Sequence, residues 1–245
     1  MIVAKKVQGP QKNLVETPAA EIKSAGGETW LTVSGESARP LRAMVTRLIQ
    51  RGEMPARLSL VAALSEEGVS YITLALAAVI AHDLAVSVCA VELNWWWPGM
   101  ARLLQPAAAP ASPGLSAVLA GAATLDDALL PTAAPNLTLL PAGEMDIERR
   151  PIVARGAALR ETIAQLSARF DHVLLDIPAI RATSDAIPLA ALGKACCLVV
   201  RQGVTPAQEI RLALDDIEHL PMLGAVLNQV RVATPAWLLK LVPQE

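Results

Sequence analysis

Apolar and polar positions along this chain follow two periods, and they divide it into strands and helices. Leu58-Ser-Leu-Val-Ala-Ala63 is a short, almost continuous apolar run, the pattern of a strand covered on both faces. Ile72 to Ala81 predicts its crossover helix, and Ala85 to Val91 a second strand. A short third strand, Leu137-Thr-Leu-Leu140, follows the turn-rich Pro131 to Asn136. Arg155 to Arg169 reads as helix, and His172-Val-Leu-Leu-Asp176 as a strand ending in a carboxylate. Ala195 to Val200 predicts another strand, Pro206 to His219 a helix, and Leu223 to Leu227 a last strand. Short apolar runs separated by helices imply an α/β fold: a doubly wound, mostly parallel sheet with helices on both faces. Right-handed crossovers, and ligands at the carboxyl ends of the strands, follow from that topology.

Upstream, residues 40–51 place apolar side chains at helical spacing with arginines between them, which predicts an amphipathic helix starting at Pro40. Residues 1–38, rich in Gly, Pro, Glu and Lys, read as a flexible arm. The division expected is therefore arm 1–38, one domain 39–232 and a tail 233–245, with a loop at Pro106 to Ser112 and no internal repeat. The tail stretch Trp237-Leu-Leu-Lys-Leu-Val242 suits a packed terminal helix better than a membrane-surface one.

Composition narrows the picture. At 245 residues the chain can bury one good core, and 53% hydrophobic against 18% charged residues excludes a disordered protein. A net charge of −2 with no basic run gives no reason to expect a nucleic-acid partner. Cys89, Cys196 and Cys197 lie in apolar runs, as reduced buried thiols of a cytoplasmic protein do, and their spacing does not suggest zinc. No apolar h-region follows Met1-Ile-Val-Ala-Lys-Lys6, and His82-Asp83 interrupts the longest apolar stretch, so neither a leader nor a membrane span is expected.

The chemistry concentrates at predicted strand ends. Ser65-Glu66-Glu67-Gly68-Val69-Ser70-Tyr71 occupies the strand-to-helix turn where a nucleotide-binding P-loop would read Gly-x-x-x-x-Gly-Lys-Ser/Thr. Gly68 and Ser70 are present, but Val69 stands where the lysine would reach phosphate oxygens, and Glu66 and Glu67 add negative charge there. Glu92-Leu-Asn-Trp95-Trp96-Trp97-Pro98 follows the second strand. Val173-Leu-Leu-Asp176 has the form of a Walker B strand, whose aspartate serves the Mg²⁺ shell. Asn228 closes the last strand, where an amide can face a base. Each has a plainer role: Ser70 as a helix N-cap, Asp176 as a turn cap, Glu92 as a solvated charge. Three successive indoles cannot all point inward; two packed rings with one exposed, and an aromatic anchor for a partner, are both open.

Beyond these positions the chain resembles the bacterial tyrosine kinases of capsule and exopolysaccharide assembly, a branch of the MinD/ParA-type P-loop ATPases. The resemblance covers roughly residues 38–232. It is carried by Pro113 to Gly121, Thr124 to Leu129, Asn136-Leu-Thr-Leu-Leu-Pro-Ala-Gly143, Phe170 to Pro178, Asp185-Ala186, Val199 to Gly203 and Gly224 to Asn228. The departures fall on the chemistry. The family's P-G-E-G-K-S-T is here Ser65 to Tyr71, and its D-x-D-x-R-x-P becomes Glu92 to Pro98, with Trp96 at the arginine. The family's kinases carry a C-terminal tyrosine cluster that they phosphorylate, whereas the one tyrosine in these 245 residues is Tyr71.

The resemblance implies a vestigial nucleotide site at Gly68, Ser70, Glu92, Asp176 and Asn228, with Ser70 and Asp176 as Mg²⁺ ligands if nucleotide binds. Losing one charge-assisted donor in such a site costs on the order of 10²–10³ in rate. The expectation is therefore a pseudo-ATPase with no catalytic residues and no resident cofactor beyond weak Mg-ATP or Mg-ADP. It would act as regulator or assembly partner in exopolysaccharide biosynthesis or export, beside a membrane polysaccharide co-polymerase-like protein or an active kinase homologue. Homo- or hetero-oligomers at the inner face of the cell membrane fit that role. Two alternatives stand: an atypical active ATPase or tyrosine kinase borrowing a cation such as Arg201 or Lys194, and a MinD/ParA-like positioning protein.

Overall fold

The structure, a computed structural model, describes residues 2–5, 19–104 and 112–230. The tail 233–245, the loop 106–112 apart from Ser112, and much of the expected arm fall outside the described residues. In chain order the strands are β1 (Ile2–Lys5), β2 (Ala20–Lys23), β3 (Thr29–Val33), β4 (Arg57–Ala62), β5 (Val88–Glu92), β6 (Leu130–Pro131), β7 (Leu137–Leu140), β8 (His172–Asp176), β9 (Ala195–Arg201) and β10 (Met222–Val230). The helices are α1 (Gly35–Gln50), α2 (Val69–Leu84), α3 (Met100–Leu103), α4 (Gly114–Leu119), α5 (Leu125–Ala128), α6 (Arg150–Arg155), α7 (Ala157–Arg169), α8 (Ala186–Ala190) and α9 (Ala207–Asp216).

Eight strands form one sheet in the order β1-β10-β9-β4-β8-β5-β7-β6, parallel throughout except for the short edge strand β6 against β7. The doubly wound α/β expectation holds. Alternation along each strand sends side chains to two cores. Leu58, Leu60, Ala90, Leu174 and Val199 pack under α1 and α2, while Val61, Cys89, Val91, Leu175 and Leu198 pack under the helices of the other face. The same alternation sends Cys197 to the first core and Cys196 to the second, so these neighbours cannot pair, and all three cysteines are free and buried. Burial pushes the Cys196 and Cys197 thiols up to about 11 and about 12.

The arm expected over 1–38 is ordered where it is described. β1 pairs in parallel with β10, and β2 with β3 forms a hairpin whose Ile22, Trp30 and Val33 are buried in the α1–α2 core. The physical reason is a short alternating stripe on each side of the Gly26-Gly27 turn, enough to seat one large indole. Helix α1 begins at Gly35 and carries Pro40 inside it, rather than starting there. Ser34 caps it by accepting a hydrogen bond from the Ser37 N–H at 3.3 Å, and Ala38, Leu41, Met44, Val45 and Leu48 form the buried stripe.

Candidate functional site

Strand β4 runs straight into the loop that begins α2. Glu66 sits in the left-handed region at φ 65° and Gly68 at φ 91°, so the backbone keeps a glycine-type course even where a glutamate has replaced the glycine. Gly68, not Ser70, is the N-cap residue of α2, and Val69 opens the helix. A side chain at Gly68 would strike the amide of Asn228. That amide donates to the Glu67 carbonyl at 2.8 Å, and the Asn228 Oδ1 accepts from the Gln229 N–H at 2.9 Å. The group expected to face a base instead fastens the loop to the end of β10.

Glu67 also differs from expectation. Its side chain is buried and accepts a hydrogen bond from the Thr205 hydroxyl at 2.5 Å. Burial raises its pKa, with the Thr205 bond opposing. Of the two glutamates, Glu66 alone is exposed.

Glu92 and Asp176 are register partners on adjacent parallel strands, β5 and β8, about 4.8 Å apart in the pairing direction. Both are buried, which corrects the reading of Glu92 as a solvated strand-end charge. The Glu92 Oε1 accepts from the Gly99 and Met100 N–H groups at 2.6 and 2.7 Å, and its Oε2 from the Ala142 N–H at 3.2 Å. The carboxylate thus ties the loop after β5 to the loop after β7. Burial raises its pKa against those three donors. Neither oxygen of Asp176 has a partner in hydrogen-bond geometry. Burial first, and the Glu92 charge second, hold its carboxyl well above the usual range; the neighbouring Ser70 hydroxyl opposes that shift.

The three tryptophans take three environments. Trp95 is buried and donates its Nε1–H to the Ala142 carbonyl at 3.0 Å. Trp96 lies under the Arg150 guanidinium, 5.8 Å from the ring centroid. Trp97 is 46% exposed. Asn94 closes this turn on itself, accepting from the Trp97 N–H at 3.1 Å and donating to the Trp97 carbonyl at 3.0 Å. Two packed rings and one exposed is the arrangement found. The resemblance-bearing stretches at 113–121 and 136–143 pack together here, since Leu115 N–H bonds the Pro141 carbonyl and Gly114 abuts Gly143 too closely for a side chain on either.

These loops line a cleft of about 960 Å³ together with Thr32, Ser34 and Ser37 around the β3–α1 junction. Gly68, Ser70 and Asn228 line it; Glu92 and Asp176 lie beneath it. Among the described residues its lining holds one cation, Arg102 on α3, whose Nε–H donates to the Pro98 carbonyl at 3.0 Å. Sequence reasoning missed Arg102; its signal is an arginine six positions after Trp96, itself where the family's arginine falls. Neither proposed donor of borrowed charge serves: Arg201 is not in the lining, and Lys194 sits at the amino end of β9, where its N–H pairs with the Arg57 carbonyl.

The donor chemistry of Ser70 and the two free Asp176 oxygens suits a hard divalent cation. No group of three or more His, Cys, Asp or Glu able to hold a metal occurs among the described residues, so the remaining ligands would be water or a bound molecule. At the loop itself Val69 carries no charge, the Asn228 amide is bonded to the Glu67 backbone carbonyl, and Glu66 is exposed. No helix among the described residues is long and apolar enough to cross a membrane.

Comparison with known proteins agrees with the fold. No protein-family model matches the chain. It is 30% identical over 119 residues to the tyrosine-protein kinase wzc of Salmonella typhimurium, covering 48% of this chain and 16% of that protein. It is 27% identical over 176 residues to the succinoglycan biosynthesis transport protein ExoP of Rhizobium meliloti, covering 70% of this chain and 22% of that one. The matched stretches are thus a minor part of both proteins. Among solved structures, the BceF tyrosine kinase domain superposes with a TM-score of 0.67 at 26% identity, covering 81% of this chain and 78% of that one. The septum site-determining protein MinD of Pyrococcus horikoshii, complexed with Mg-ADP, gives 0.57 at 26% identity, covering 71% and 70%.

Proposed function

We propose that this chain, related to the part of the P-loop ATPase superfamily that holds bacterial tyrosine kinases and MinD, has lost efficient phosphoryl transfer and acts as a regulator or assembly partner in the making or export of an exopolysaccharide. The observation that carries this reading is Val69 at the head of α2, with no cation on the loop and the Glu92–Asp176 pair buried beneath it, Glu92 feeling the charge of Arg102. Phosphoryl transfer is positioning and charge stabilisation, and a site without its cation retains the first without the second. The retained scaffold then offers surface to partners. A membrane polysaccharide co-polymerase-like protein, or an active kinase homologue, is the class of partner, and homo- or hetero-oligomers at the inner membrane face are the setting.

The test is a calorimetric titration with Mg-ATP and Mg-ADP alongside a phosphate-release assay. The proposal expects at most weak binding and no turnover; micromolar binding with steady ADP release would remove it. One observation favours a second reading, an atypical nucleotide-binding ATPase: Arg102 faces the cleft from α3. Under that reading Arg102→Ala abolishes whatever nucleotide binding the titration detects.

A further inference from the structure

We infer that the cleft over the β4–α2 loop takes a neutral saccharide, a ligand class that the vestigial-nucleotide reading does not supply. The inference rests on the proposal that this cleft no longer grips a triphosphate, and it names what the cleft accepts instead. The argument proceeds by which contacts the lining leaves free. Two of its three side-chain amides are engaged: Asn94 closes its own turn onto Trp97, and Asn228 bonds the Glu67 carbonyl and the Gln229 N–H, while the Gln229 side chain is exposed in the lining. Among the described residues its exposed charges are one of each sign, Arg102 and Glu66, which together gather no polyanion.

What remains open to a ligand is a half-exposed indole at Trp97, the ring of Tyr71, the hydroxyls of Thr32 and Ser65, the Gln229 amide, and that single pair of opposite charges. This set matches a sugar. A pyranose ring presents an apolar C–H face, which packs on an indole, and a rim of vicinal hydroxyls, which donate to a carboxylate and accept from a guanidinium in pairs. The volume, about 960 Å³, lies at the upper end of small-molecule sites and leaves room for an oligosaccharide rather than one ring. Glu92 gives the wall its shape. By holding Gly99 and Met100 it fixes both the Trp97 turn before them and the Arg102 helix after them.

The experiment titrates the full chain with cellotetraose, maltotetraose and a β-linked galactotetraose, by calorimetry and by saturation-transfer NMR, with adenosine and Mg-ATP as comparators. The expected result is binding of at least one neutral oligosaccharide, weakened by roughly ten-fold or more in Trp97→Ala and in Glu66→Gln. Trp96→Ala, whose ring packs under Arg150 away from the open face, should leave that affinity unchanged and serves as the folded control. No binding of any of the three sugars, binding indifferent to Trp97→Ala, or adenosine outcompeting the sugars would each overturn the inference. If neither sugar nor Mg-ATP binds, the saccharide site falls and the proposed function stands; if Mg-ATP binds tightly and is turned over, the proposed function falls first.

Discussion

Replacing Asp176 with asparagine tests how the buried acid pair is held. Asp176 is fully buried, its two oxygens lack partners, and Glu92 is its register neighbour one strand away. Both carboxyls are held above their ordinary values, Asp176 the further. The native state therefore binds more protons than the unfolded chain above about pH 4, and stability must fall as pH rises from there through the folded-state values. Each unit of displacement is worth about 1.4 kcal/mol, and an unfolded aspartate near 3.9 lies about three units below pH 7, which caps this loss at roughly 4 kcal/mol per group at pH 7. The neutral amide of Asp176→Asn carries no such penalty. The variant should match the parent near pH 4 and exceed it by on the order of 1–4 kcal/mol at pH 7 to 8, read by urea denaturation across that range. Glu92→Gln should do the opposite, since its amide would turn a donor toward one of three backbone N–H groups. A parent protein whose stability rises from pH 5 to 8, or an Asp176→Asn variant no more stable at pH 8 than the parent, would refute the reasoning.

Glu66→Gly should stabilise by about 0.5–1 kcal/mol, because it removes the cost of a left-handed glutamate while returning some unfolded-state entropy, and should raise Tm by roughly 1–4 °C. Gly68→Ala should cost about 1–3 kcal/mol by displacing the Asn228 amide from the Glu67 carbonyl, and a double-mutant cycle with Asn228→Ala should show the two losses to be strongly non-additive. The native thiols, with Cys196 near 11 and Cys197 near 12, should resist alkylation at pH 8 until the chain unfolds, as followed by mass spectrometry.

The sheet and the strand-end positions were legible in the sequence for a physical reason. Parallel strands buried on both faces must be apolar throughout, and the polar residue that ends such a run, as Asp176 ends β8, marks the face where loops gather. Helix α2 and strands β4, β7 and β8 came out within a residue or a few of their observed ends. The β2–β3 hairpin did not, because its strands are only four and five residues long and bury a few side chains, Ile22, Trp30 and Val33, against helices rather than against the main sheet. The tasks of Glu67 and Asn228 were equally hidden. Each depends on a hydrogen bond across more than a hundred residues, to Thr205 in one case and to Glu67 itself in the other, and pattern along the chain carries no such pairing. Arg102 escaped notice since a lone arginine on a four-residue helix has no periodicity to reveal it.

The most direct measurement compares Mg-ATP affinity of the native chain with that of the Val69→Lys, Glu66→Gly double variant. A lysine at the head of α2 restores one charge-assisted contact worth about 1.5–3 kcal/mol, so affinity should rise by roughly ten- to a hundred-fold. A native chain that already binds Mg-ATP as tightly as the variant would contradict the account, because the cation argued to be missing would then not be needed.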